Sequence, residues 1–214
     1  MFLSVFDIYK VGIGPSSSHT VGPIVAAGRF LEMVRAHPRI DEITRLRVFL
    51  HGSLAFTGKG HGSDRAVVLG LLGQIPETLD PDAVEGLIEG VETGKSITLE
   101  GIGDIAFDPT QDIVFDFEKS LPGHANAMNF VALADDGAII EEQVFYSIGG
   151  GFVVNETELE DYQNQDSEVD FTGVPYPFHN AVEMLAMGNE TGHSIAEMKR
   201  ANELVSRDGS ALDE

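Results

Sequence analysis

The sequence predicts an α/β (α+β) fold, a mixed sheet covered by helices. Three observations carry this reading. Segments of helical period surround segments of period two, a hairpin falls late in the order, and 43% hydrophobic with 22% charged residues is an ordinary globular composition. A bundle would lack the period-two segments, and a sandwich would lack the helices.

Val21, Ile24, Val25, Leu31 and Val34 lie close to helical spacing between Thr20 and Arg35, with Ser18, His19 and Thr20 as caps. Leu46, Val48 and Leu50 alternate with Arg47 and Phe49, a half-buried strand running into His51 and Gly52. After a glycine-rich loop, Ala66 to Leu72 reads as a helix. Asp80 and Pro81 cap and open the next, Val84, Leu87, Ile88 and Val91 form its apolar face, and Gly94 supplies its stop. The period then changes: Ile113, Phe115 and Phe117 alternate with Asp112, Val114 and Asp116. Met128 to Ala134 and Ala138 to Ser147 flank Asp135-Asp136-Gly137, which predicts a hairpin.

No Lys or Arg occurs between Lys119 and Lys199, and Asn155 to Asp170 is acidic without an apolar period, as in a solvated linker. Phe178 to Met187 and Ser194 to Ser206 read as helices opening a further domain. The expected division is residues 1–154, a linker over 155–177, and the start of a second domain over 178–214.

With 214 residues there is material for one well-filled core and an appendage. The net charge of −22 repels phosphate backbones and anionic membrane surfaces, so no nucleic acid and no membrane partner is expected. No apolar run approaches a spanning helix, and Met1 to Lys10 lacks the basic start of a signal peptide. The chain has no cysteine, which excludes disulfides, a thiolate nucleophile and a cysteine-ligated zinc or iron-sulfur centre within it. The default location is cytoplasmic.

Four segments could carry chemistry. Gly12-Ile13-Gly14-Pro15-Ser16-Ser17-Ser18-His19-Thr20 combines hydroxyls, an imidazole and a helix start, which suits a small carboxylate; a serine-rich cap with an incidental histidine fits equally. His51-Gly52-Ser53 and His61-Gly62-Ser63 are triplets ten positions apart, joined through Thr57-Gly58-Lys59-Gly60. This is not a phosphate loop, because Gly60 follows Lys59 where Ser or Thr is needed. His61, between two glycines, is either an exposed loop residue or a proton-transfer group. Leu121 to Asn129 places His124, Asn126 and Asn129 close together, for amino-acid recognition or for a turn network. Gly149-Gly150-Gly151 reads as a bend or bulge. His37, His179 and His193 have no companions at ligand spacing and are read as surface or packing residues, so no metal site is expected.

Ser4-Val5-Phe6-Asp7-Ile8-Tyr9-Lys10, Gly12 to Thr20 and Gly22-Pro23 closely resemble the opening of the bacterial iron-sulfur L-serine dehydratases. Gly52-Ser53-Leu54-Ala55, Thr57 to His61, Asp64, Leu121-Pro122 with His124 and Asn126, and Tyr146 to Phe152 extend the resemblance, as do Pro175 to Phe178 and Ser194 to Met198. It implies the regulatory and active-site-completing portion of an enzyme that converts L-serine to pyruvate and ammonia. The family's 4Fe-4S cluster would be held by cysteines of a C-terminal catalytic domain absent from this chain, which by itself would be inactive. That domain, in the same protein or in a second subunit, is the implied partner, with L-serine and further copies in a homo-oligomer.

By the same resemblance, Ser16, Ser17, Ser18, His19 and Lys59 belong to substrate-binding loops and His61 is the catalytic, proton-handling group. The family's N-terminal domain also resembles the allosteric substrate-binding domain of certain 3-phosphoglycerate dehydrogenases, which implies a regulatory serine site at His124 and Asn126. The competing reading is a non-catalytic amino-acid-binding or dimerisation module.

Overall fold

The structure is a computed structural model that describes residues 4, 12–99, 103–164, 171 and 173–205. The expectations for Val5 to Lys10, and for residues 165–170, 172 and 206–214, lie outside the described residues. What is described falls into two compact units, one within residues 10–164 and one joining residue 4 to residues 171 and 173–205.

The larger unit opens with a π-helical turn over Ser17–Val21 that runs into α1, Gly22–Ala36. β1 (Arg45–Gly52) follows, then α2 (Ser53–Thr57), a tight turn over Gly58–His61, α3 (Ser63–Leu71) and α4 (Val84–Gly94). Next come β2 (Ser96–Leu99), β3 (Gly103–Ala106), α5 (Pro109–Asp112) and β4 (Ile113–Asp116). β5 (Asn126–Leu133), β6 (Ile139–Gly149), β7 (Phe152–Asn155) and α6 (Glu156–Asn164) complete it.

The mixed sheet has the order β2-β3-β1-β5-β6-β7. β1 is its hinge, antiparallel to β5 on one side and parallel on the other to both β3 and β4. α5 separates those two short strands, and Asp112 at its end is fully buried, taking Arg45 Nε at 2.8 Å and the backbone N–H of Asp108 at 2.8 Å.

Alternation along the strands decides the two faces. Leu46, Val48 and Leu50 of β1, with Met128 and Phe130 of β5, point toward α1 and α3 and are wholly buried. Phe30 of α1 sits 5.3 Å from Phe130, which meets Phe145 edge-on at 5.9 Å. Residues of the other parity, among them Arg47, Phe49, Asn129 and Glu142, line the opposite face.

Two local differences from the sequence reading have physical causes. The expected helix stop at Gly94 is one residue early: Lys95 takes the left-handed conformation at φ 51° while its N–H caps Val91 and its Nζ pairs with Asp108 at 2.8 Å. Glu156–Asn164, within the stretch read as a linker, is helical. Asn155 Oδ1 accepts from Glu158 N–H, Glu158 Oε2 accepts from Asn155 N–H, and Arg29 of α1 grips both carboxylate oxygens of Glu158. Buried Leu159 then covers Ala127 and Tyr146 on the second face of the sheet.

In the smaller unit, α7 (Ala181–Thr191) is capped by Asn180 and α8 (Ile195–Glu203) by a Ser194/Glu197 capping box. These are the two helices expected there.

Candidate active site

The geometry starts from Gly52. Its φ of 56° and ψ of −128° suit glycine, and a Cβ would stand 2.4 Å from the Ala125 carbonyl oxygen. The chain therefore turns sharply at the end of β1, Ser53 N–H donates to that carbonyl at 2.8 Å, and the Ser53 side chain leads α2. Facing it, Ser16 caps the π turn, its Oγ accepting from His19 N–H at 3.1 Å. A π turn at the mouth of a helix is a local departure that often accompanies a functional site. Here it presents His19 to Ser53.

Both ring nitrogens of His19 are engaged, Nδ1 with Ser18 Oγ at 2.8 Å and Nε2 with Ser53 Oγ at 3.1 Å. Ser63 Oγ donates to the His19 carbonyl, and Thr20 Oγ1 donates to the His61 carbonyl at 2.9 Å, so the serine loop and the Lys59–His61 loop are tied together. The two imidazoles lie 5.0 Å apart between centroids. Burial first, then the neighbouring His61, holds His19 below the usual histidine pKa, with the Ser53 hydrogen bond opposing. His19 is thus a neutral imidazole near pH 7.

His61 is held differently. Its Nδ1 lies 2.9 Å from the Thr57 carbonyl oxygen, which can only accept, so Nδ1 carries the hydrogen and the neutral ring keeps its lone pair on Nε2. Among the described residues Nε2 has no hydrogen-bond partner. An oriented imidazole with a free basic nitrogen has the equipment of a general base. Lys59 is mostly exposed and its ammonium is paired with Asp64.

His124 and Asn126 belong to the same end of the sheet, since Asn126 pairs with Gly52 in the β1–β5 register. Asn126 N–H donates to His124 Nδ1 at 3.1 Å and its Nδ2 donates to the Ser147 carbonyl at 3.0 Å. Much of their polar capacity therefore already holds the turn. Gly149-Gly150-Gly151 is a bend, all three at positive φ, between β6 and β7.

Ser53, Thr57 and Ser63 received no role from sequence reasoning, although Ser53 and Ser63 close the two repeated triplets and that repetition was the available signal. Elsewhere His37 accepts from Arg39 N–H and His179 pairs with Glu183 at 3.2 Å. Among the described residues no group of three or more His, Cys, Asp or Glu could hold a metal. With no cysteine in the chain, its residues do not fit a thiolate-ligated cluster.

Comparison with known proteins identifies the family. The family described as serine dehydratase beta chain matches residues 4–158. The chain belongs to the serine dehydratase beta-chain family. An L-serine dehydratase of Streptomyces coelicolor is 42% identical over 215 residues, covering 100% of this chain and 46% of that protein. L-serine dehydratase 1 of Escherichia coli is 40% identical, covering 99% of this chain and 45% of its own length. An L-serine dehydratase of Helicobacter pylori is 38% identical over 94% of this chain and 43% of its own length. This beta-chain family member thus spans just under half the length of these relatives, and the His19–His61 pair lies inside its family-matched region.

Proposed function

We propose that this chain is the substrate-handling portion of an L-serine dehydratase, a lyase that converts L-serine to pyruvate and ammonia. One observation carries the reading: His61, tautomer fixed by Thr57 and Nε2 without a hydrogen-bond partner among the described residues, stands beside a neutral His19 in a chain of the serine dehydratase beta-chain family.

His61 Nε2 takes the α-proton of serine, and the β-hydroxyl leaves with a proton as water. The resulting enamine tautomerises to an imine, whose hydrolysis consumes one water and releases pyruvate and ammonia. Ser16, Ser17 and Ser18, with the first turn behind them, hold the substrate carboxylate through hydroxyl and backbone N–H donors. Neutral His19, fixed between Ser18 and Ser53, holds that loop without adding a charge that would compete for protons with His61. Lys59 supplies positive charge at the rim, shared with Asp64. A 4Fe-4S cluster belongs to polypeptide outside this chain. His124 Nε2 and Asn126 Oδ1 are the groups left to meet a regulatory serine.

Calorimetric titration of the chain tests the reading. L-serine gives saturable heat and D-serine none; equal heat from both enantiomers, or none from either, contradicts it.

A further inference from the structure

Two reciprocal hydrogen bonds join the serine loop to the Lys59–His61 loop. Thr20, which follows His19, donates its Oγ1 to the His61 carbonyl at 2.9 Å; Ser63, just beyond His61, donates its Oγ to the His19 carbonyl. Both residues are buried.

The two branches of Thr20 meet different neighbours. Its methyl packs against the backbone of Gly14, at φ 88°, where a Cβ would stand 2.4 Å from Thr20 Cγ2. Its hydroxyl reaches the other loop. The two contacts are separable, because valine keeps the methyl and loses the donor, whereas serine keeps the donor and loses the methyl.

The Thr20 hydrogen bond closes a circuit around both histidines. His19 Nε2 meets Ser53 Oγ, Thr57 Oγ1 donates to the Ser53 carbonyl at 2.8 Å, and His61 Nδ1 donates to the Thr57 carbonyl. Thr57 thereby decides which nitrogen of His61 is basic, but one bond to the ring does not set how far that nitrogen stands from the serine loop. Thr20 ties the two together, because its own N–H donates to the Ser16 carbonyl at 3.0 Å, within the turn that carries Ser16, Ser17 and Ser18. In an α-amino acid the carboxylate is bonded to the carbon whose hydrogen is removed. The anion site and the base must therefore keep one separation, and a misplacement of about 1 Å costs on the order of a hundredfold in rate.

We propose that Thr20 is a positioning residue for the reaction: its hydroxyl sets the separation between the carboxylate-holding serine loop and His61 Nε2. This rests on the reading of His61 as the base.

The test is L-serine turnover by the complete protein, with native folding verified for each variant. Thr20→Val lowers kcat by about 10–100-fold while KM stays within about twofold, because the donors of the serine loop remain. Thr20→Ala, which removes the hydroxyl without setting a methyl against the His61 carbonyl, carries the same expectation should the valine variant not fold. Thr20→Ser keeps kcat within about threefold of wild type, although it lacks the packing methyl. Added to His61→Ala, Thr20→Val costs nothing further, since Thr20 acts through His61. Wild-type kcat in Thr20→Val and Thr20→Ala, a Thr20→Ser as slow as Thr20→Val, or a further loss of about tenfold in the His61→Ala background overturns the proposal. If His61→Ala is slow while Thr20→Val is not, the positioning role falls and the base stands; if His61→Ala turns over like wild type, the base falls and the positioning role with it.

Discussion

A half-buried histidine, His19, and a buried one, His51, contribute to the acid response of the fold. His19 and His51 are both held below the usual histidine pKa, burial being the largest cause in each; for His51 the carboxylate of Asp116, 3.4 Å away, opposes it. Below about pH 6.5 the unfolded chain binds protons at these sites and the native chain does not, so stability is full above that pH and falls as pH drops toward the lowered native values. Urea midpoints should therefore decline from pH 7.5 to 5.5, and His51→Gln should flatten the decline; a midpoint constant over that range contradicts the assignment. Asp108, held to about 2 by Lys95 and then Thr110, loses its contribution only as pH falls below the ordinary carboxylate range. His61 stands out in the sequence because two glycines isolate it. The partners of His19 do not, because Ser53 is 34 positions away and reaches it only after β1 has turned at Gly52.

Close packing between elements rests on absent side chains. Where α1 crosses α3, a Cβ on Gly70 would stand 2.3 Å from the Ile24 carbonyl oxygen and 2.6 Å from Ala27 Cβ. Gly70→Ala should accordingly destabilise by about 1–3 kcal/mol through overpacking. Gly86→Ala, in exposed α4 with nothing within 4 Å, should stabilise by about 0.4–1 kcal/mol. Paired chemical denaturation curves check the contrast, and equal effects at the two sites would contradict the packing described. The long elements were legible because their apolar period runs over several turns or pairs. β2 and β3 were not, being four residues each and offering few inward positions, Ile97, Leu99 and Ile105. α6 was hidden for another reason: it buries one residue, Leu159, and is fixed by its cap and by Arg29 rather than by an apolar stripe.

At the scale of the whole molecule the candidate site gathers at one end of the sheet. The His19–His61 constellation is built on the loops that lead into α1 and α3. Fold class, hairpin and family were legible in the sequence; the pairing of Arg47, Val131 and Glu142 across one sheet face was not, because it requires the register of β1, β5 and β6 together. Among the described residues no helix is long and apolar enough to cross a membrane. The most direct test of the central proposal, that His61 is the base of an L-serine dehydratase, is L-serine turnover by the complete protein carrying His61→Ala. With L-serine saturating and native folding verified, pyruvate release should fall by about 10²–10⁴-fold. Turnover within about twofold of wild type, well inside the smallest effect expected for a lost general base, would contradict the assignment of His61 as the base.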